Sequence, residues 1–284
     1  MDKLRIVSCM SLFSVNEEKC KKDGICAAEC PLSIIDFQDK GKVPRPFDHS
    51  ESLCINCGHC VSVCPHGALT HKNLAPQDCY QVDKELALDV EQTEHFLRYR
   101  RSIRNYKSKA VEKEKIEKLI HIASHAPSGH NVQPVHWQVI DGKEKVTELS
   151  SHVIDWMKNM LKAQPDLAKM MHLDMITAAW EMGMDVVSRR APALVLVNGG
   201  SKDPFADSAC KIAMTFLDLS APSLGLGSCW NGYFNRAAMS WEPLQKALGF
   251  PEGIINYGTM MLGYPKYQYY RMPNRNTPRV TWTD

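Results

Sequence analysis

Seven of the eleven cysteines fall between Cys20 and Cys64, in two stretches that nearly copy each other. "CKKDGICAAEC" runs from Cys20 to Cys30 and "CINCGHCVSVC" from Cys54 to Cys64, and each is followed by a proline, Pro31 and Pro65. The second copy reads C-x2-C-x2-C-x3-C-P. Three thiolates spaced this tightly let one loop wrap one face of a cubane iron–sulfur cluster, while the fourth, three residues on, points toward a second cluster. The proline then fixes φ and turns the chain out of the site. Zinc sites usually take cysteines as C-x2-C pairs set far apart. A third and fourth cysteine at short spacing, in a duplicated motif, is iron–sulfur spacing instead. The copies agree at every cysteine except one: Asp23 stands where the second copy has Cys57.

Residues 1–80 resemble bacterial two-cluster ferredoxins, and the duplicated cysteine motif carries the resemblance. It implies crossed ligation. One cluster takes Cys54, Cys57 and Cys60 together with Cys30; the other takes Cys20 and Cys26 together with Cys64, with Asp23 at its fourth corner. A carboxylate is harder than a thiolate and holds iron less tightly in a sulfur-rich site. A [4Fe-4S] cluster with a labile aspartate-bound iron, a [3Fe-4S] cluster with that corner empty, and a solvated turn at Asp23 before Gly24 all remain open. His59 and His66 lie beside the motif and read as surface residues or as outer hydrogen-bond donors.

Among the 284 residues the formal net charge is +2, which argues against a protein that coats nucleic acid. No apolar run approaches the ~18 residues of a membrane span. The opening "MDKLRIVSCMSLFSV" lacks a secretory core, so a cytoplasmic protein is expected. Cysteine density drops near residue 80. The expected organisation is a cluster domain over 1–80, a linker over 81–95 that is partly helix, with Leu86, Val90 and Leu97 at helical spacing, and a second domain over 96–284.

The second domain mixes helices and strands without βαβ repetition and reads as α+β. Ile116, Leu119, Ile120 and Ala123 share one face of a helix that Pro127 stops. Strands are expected at Val135–Ile140, Ala193–Asn198 and Tyr257–Pro265, and a helix over about Phe205–Ala221. "GLGSCWNG" begins as G-x-G but has Trp230 at the third glycine and follows a helix, so it is no dinucleotide fingerprint. Trp156–Asp185 holds seven of the fourteen methionines and reads as helical core and dimer interface, or as an adaptable pocket wall.

"RRSIRNY" puts Arg100, Ser102 and Arg104 at alternate positions, beside Arg101. On one face of an extended segment, these groups suit a phosphate monoester. "APSGHNVQPVHW" offers Ser128, Asn131 and Gln133 as compact polar groups in a Pro/Gly-shaped loop.

With "GLGSCWNG" and the closing "GYPKYQYYRMPNR", these stretches make residues 96–284 resemble the nitroreductase family of flavoproteins. The resemblance implies an FMN-binding α+β domain, an intertwined homodimer and FMN at the interface. It assigns Arg100, Arg101, Ser102 and Arg104 to the phosphate and ribityl end. Ser128, Asn131 and Gln133 fall along the ribityl chain and ring, Trp230, Asn231 and Gly232 at the ring, and Arg271 or Arg275 at the phosphate. Tyr269 replaces a frequent lysine and Val135 a frequent tryptophan. Flavin carries the hard step, so no Ser/His/Asp constellation is needed. The expected activity moves electrons from a low-potential donor such as ferredoxin, through two clusters and FMN, to a nitroaromatic, quinone or activated alkene. NAD(P)H as direct reductant with the clusters as outlet, and a non-catalytic carrier or redox sensor, are the alternatives.

Overall fold

The structure, a computed structural model, describes residues 11–39 and 41–283; Cys9 lies outside them. The chain divides into two compact units. One runs to Ala87 and includes His130–Val132; the other holds Leu88–Gly129 and the residues from Gln133 onward.

The first unit runs β1 (Phe13–Val15), α1 (Ile25–Ala28), β2 (Ile35–Asp36), β3 (Arg45–Pro46), α2 (Ser50–Leu53), α3 (His59–Ser62) and β4 (Leu69–His71). β1 pairs antiparallel with β4, and β2 with β3. The sequence repeat is also a backbone repeat. Lys22 and Asn56 have φ of 57° and 53°, Gly24 and Gly58 of 76° and 74°. The amides of Ala27 and Val61 donate to Gly24 O and Gly58 O at 3.0 Å, and those of Cys30 and Cys64 to Ala27 O and Val61 O at 3.3 Å. Glycine is required twice over at both turns: φ is positive, and an added Cβ would lie 2.5 Å from Phe37 at Gly24 and 2.8 Å from Leu74 at Gly58. Leu12, Phe13, Ile34, Ile35, Val61 and Leu69 close an apolar core around Cys26.

The second unit begins at α4 (Val90–Tyr99), where Asp89 and Gln92 form a reciprocal cap, Gln92 N to Asp89 Oδ1 at 2.8 Å and Asp89 N to Gln92 Oε1 at 3.2 Å. That cap starts the helix inside the stretch expected to be linker, and the helix runs past residue 95. The chain continues through α5 (Lys113–Ala123), β5 (His136–Asp141), α6 (Lys143–Ala163), α7 (Pro165–Met170), α8 (Leu173–Glu181), β6 (Ala193–Gly200), α9 (Ala206–Ser220), β7 (Gly227–Trp230), α10 (Gly232–Ser240), α11 (Glu242–Leu248) and β8 (Ile254–Gly263). The sheet is antiparallel in the order β5-β6-β8-β7, an α+β arrangement.

β6 is buried on both faces. Side chains alternate across a strand, so Ala193, Val195 and Val197 join the layer containing Leu119 and Met214, while Leu194 and Leu196 join the layer containing Leu149, Met157 and Phe234. α5 buries Ile116, Leu119 and Ala123, the expected face, and ends at Ala123, short of Pro127. α9 buries Ala206, Ala209, Cys210, Ala213, Met214 and Leu217, one stripe at helical spacing. Among the described residues no helix is long and apolar enough to cross a membrane.

Leu196 is fully buried mid-strand. Leu196→Ala opens a cavity between sheet and helices and is expected to cost about 2–5 kcal/mol. Urea denaturation of the second unit, followed by circular dichroism, reads this as a lower midpoint at unchanged slope.

Candidate functional site

In the first unit Cys30, Cys54, Cys57 and Cys60 line one cavity, walled by apolar side chains such as Leu12 and Ile34. Burial pushes the Cys60 thiol up to about 11, and the neighbouring Cys57, Cys30 and Cys54 add to the shift. Burial likewise raises Cys26, and there the neighbouring thiols are chiefly Cys64 and Cys20. Cys30 of the first repeat thus stands with three thiols of the second around one pocket, and Cys26 also acts on Cys60. Among the described residues no three His, Cys, Asp or Glu groups converge tightly enough to hold a single ion. The four thiols stand around a cavity instead, a soft donor set that fits a multi-iron cluster.

Asp23 is exposed, and its Oδ1 accepts the Ile25 amide at 3.3 Å. The carboxylate therefore holds the turn into α1. His59 and His66 are both exposed. The histidine that reaches a motif thiol is one the sequence reading passed over: His71 Nε2 lies 3.5 Å from Cys54 Sγ. His71 is buried, and burial lowers its pKa below the ordinary histidine value. Its only sequence signal is a polar residue at an inward position of an alternating strand. Asn131, grouped with this unit, donates to Ile55 O at 3.2 Å and Asn56 O at 3.0 Å.

In the second unit the "RRSIRNY" segment is extended, as expected. Ser102 bridges Ser228, and the Ile103 amide donates to Ser228 O at 2.9 Å. Close approach demands glycine at Gly227, where a Cβ would lie 2.4 Å from Ile103. The arginines diverge. Arg100 reaches Asp218 Oδ2 at 3.4 Å, and the buried Asp218 also accepts the Ser228 hydroxyl. Burial raises the Asp218 carboxyl above its ordinary range, outweighing the Ser228 hydrogen bond and the Arg100 charge. Arg101 stacks over Tyr269 at 5.6 Å, and its Nε is buried without a hydrogen-bond partner among the described residues. Arg104 lines an open cavity with Trp230, Asn231, Gly232, His172 and Arg189.

That cavity brings together four residues expected at one ligand. Ser128 and Gln133 line a separate cavity, where Ser128 Oγ accepts the Gln133 amide at 2.9 Å. Arg271 and Arg275 are exposed beyond β8. The methionine-rich segment divides between both expected roles. Trp156 and Met157 are core, while Met171 and His172, in the turn between α7 and α8, line the Arg104 cavity. Cys229 is buried with its thiol raised by burial, a small filler. Asn231 is the structural pivot: its Oδ1 caps α10 through Phe234 N at 3.2 Å, and its Nδ2 donates to Ser188 Oγ at 3.0 Å. Ser188 in turn pairs with Ser150 at 2.7 Å.

Residues 97–264, more than half of the chain, match the family described as "Nitroreductase family". The chain belongs to the nitroreductase family. Residues 48–70 also match a 4Fe-4S binding domain, which supports an iron–sulfur cluster in the first unit. A protein of Archaeoglobus fulgidus, provisionally named an NADH dehydrogenase/NAD(P)H nitroreductase, is 29% identical over 63% of this chain and 90% of its own length. The fold is shared with a nitroreductase from Bacteroides fragilis solved with bound FMN (TM-score 0.56, 23% identity, covering 68% of this chain and 99% of that one). It is also shared with one from Desulfitobacterium hafniense with bound FMN (TM-score 0.54, 23% identity, 68% and 98%). This nitroreductase-type oxidoreductase therefore joins a 4Fe-4S module to a flavoprotein fold.

Asn231→Ala removes the α10 cap and leaves the buried Ser188 hydroxyl short of a partner. The expected loss is about 2 kcal/mol, read as a lower urea midpoint of the flavin-free protein, with Asn231→Asp recovering the cap but not the bond to Ser188.

Proposed function

We propose that the protein is an iron–sulfur flavoprotein oxidoreductase. It takes electrons from a low-potential donor such as ferredoxin into two clusters and passes them by way of FMN to a small acceptor, a nitroaromatic, quinone or activated alkene. The observation that carries this reading is the four-thiol cavity of Cys30, Cys54, Cys57 and Cys60 in the same chain as a nitroreductase domain. A nitroreductase working only between NAD(P)H and its acceptor has no use for a one-electron module.

Two features of the second unit fit FMN. The buried Arg101 Nε has an unused donor, and a Cβ at Gly232 would meet nothing within 4 Å, so bare backbone opens on the Arg104 cavity. When bound, FMN supplies hydride or single-electron transfer. The chain's residues do the positioning. Arg104 and Arg101 carry charge for a phosphate, since guanidinium forks match its oxygens. Trp230 offers a partly exposed ring edge, and the amide at Gly232 is free of a side chain. Asp218 holds Arg100 in place from below. Arg271 or Arg275 would return to the phosphate, and Ser128, Asn131 and Gln133 would reach the ligand from a second copy. A homodimer fits the surface of α4, which buries none of its residues and exposes Val90, Phe96, Leu97 and Tyr99. Such apolar exposure marks an interaction face.

The two thiol sets would each hold one cluster, Cys30/Cys54/Cys57/Cys60 a [4Fe-4S] and Cys20/Cys26/Cys64 a cluster whose fourth corner faces Asp23. In anaerobic stopped-flow, protein with pre-reduced clusters is expected to bleach its flavin within a single turnover and then reduce acceptor. Normal flavin reduction by NAD(P)H in protein stripped of clusters would overturn this route in favour of direct reduction. Mild oxidation should yield a three-iron EPR signal from the Cys20/Cys26/Cys64 site alone. Asp23→Cys is expected to abolish that signal, and an unchanged signal in the variant would make Asp23 a turn residue only.

A further inference from the structure

We propose that His71 sets the reduction potential of the cluster held by Cys54, by donating a hydrogen bond from its Nε2–H to the Cys54 sulfur. This rests on the reading that Cys54 is a cluster ligand. The geometry fixes the direction of the bond. The Asn73 amide donates to His71 Nδ1 at 3.1 Å. A backbone N–H can only donate, so Nδ1 is the acceptor nitrogen of the neutral ring and the proton sits on Nε2. Nε2 faces Cys54 Sγ at 3.5 Å. The sulfur is therefore the acceptor.

The turn that carries His71 is built to hold this contact. His71 and Leu74 exchange backbone hydrogen bonds at 3.0 and 3.1 Å, closing the chain after β4. From the same turn Asn73 Nδ2 donates to Asn56 Oδ1 at 2.9 Å, in the loop between Cys54 and Cys57. Leu74 packs where a Cβ on Gly58 would fall. One turn thus grips the cysteine loop at Cys54, Asn56 and Gly58. His71 is 6% exposed and lines the same cavity as the four thiols. A donor in such a poorly solvated place interacts more strongly with charge than one in water.

The electrostatic consequence follows. Reduction by one electron, from dithionite through a mediator, adds one negative charge to the cluster and its thiolates. The Nε2–H dipole points its positive end at that charge and favours the reduced form, and no proton leaves the ring. Hydrogen bonds to cluster sulfurs are among the determinants of iron–sulfur potential. The second thiol set, Cys20, Cys26 and Cys64, has no such histidine contact among the described residues, so the donor also separates the two clusters electronically.

The test is an anaerobic EPR-monitored redox titration of the full-length holoprotein. His71→Leu is expected to move the midpoint of one cluster signal to more negative potential and leave the other in place, and His71→Gln, whose amide can donate, to recover part of the shift. Full iron and sulfide content with an unshifted midpoint in His71→Leu overturns the inference. If the leucine variant does not retain iron, pulsed EPR of reduced wild-type protein labelled with 15N-histidine decides. A histidine nitrogen coupling that disappears in His71→Gln supports the bond, and no coupling in the wild type overturns it. Failure of the underlying reading looks different: Cys54→Ala, which leaves no donor at that position, would then keep the iron, sulfide and EPR signals of the wild type.

Discussion

The second unit depends on a single strand that meets no water on either face. β6 lies between β5 and β8 in the sheet and between two apolar helical layers across it. Its alternation sends odd-numbered residues toward α5 and α9 and even-numbered ones toward α6 and α10. Because the side-chain period is two, a one-residue slip would exchange both layers at once. That double constraint fixes where β8 can pair, and β8 in turn fixes β7. The residues at the Arg104 cavity are attached to this chain of dependence: Ser228 of β7 holds the arginine segment, and Asn231 follows β7 directly into α10.

The cluster module solves a different problem with almost no regular structure. Its helices are single turns and its strands two or three residues long, too little for the core alone to hold ligands in place. Shape comes from local backbone rules instead: a left-handed residue, a left-handed glycine and one helical turn, repeated with the same hydrogen bonds. The bonded metal would supply the remaining cohesion, since binding free energy in small metal modules is folding free energy.

Much of this was legible in the sequence because it is written locally. The cysteine repeat, the Ile116/Leu119/Ala123 helix face, the strands expected at 135–140 and 193–198, and the break before Pro127 follow from spacing and from residue type. What was not legible depends on residues far apart in the chain. Asp218 read as one more polar position of a helix, and only packing brings it under Arg100. His71 lies seventeen residues from Cys54, and nothing in its neighbourhood announces that contact. Cysteine density drops near residue 80, whereas the compact unit continues to Ala87, and the helix expected in the linker belongs to the next unit through its capping box at Asp89. The residues expected at one ligand line several separate cavities of one chain, because spacing does not say which groups the fold brings together.

The exchange of one cysteine between the repeats has a consequence for how such a module can be divided. Cys30 stands with the thiols of the later repeat, and Cys64 acts on Cys26 in the earlier one. Duplication ordinarily yields two parts that can be lost, shuffled or tuned independently. On the proposed ligation each half would be an incomplete socket without its sibling, so the pair would be kept or lost as one object. The position that differs between them, Asp23 against Cys57, is exposed and its carboxylate accepts the Ile25 amide at the turn into α1, so the repeats diverge at a residue the local backbone can use without a thiolate.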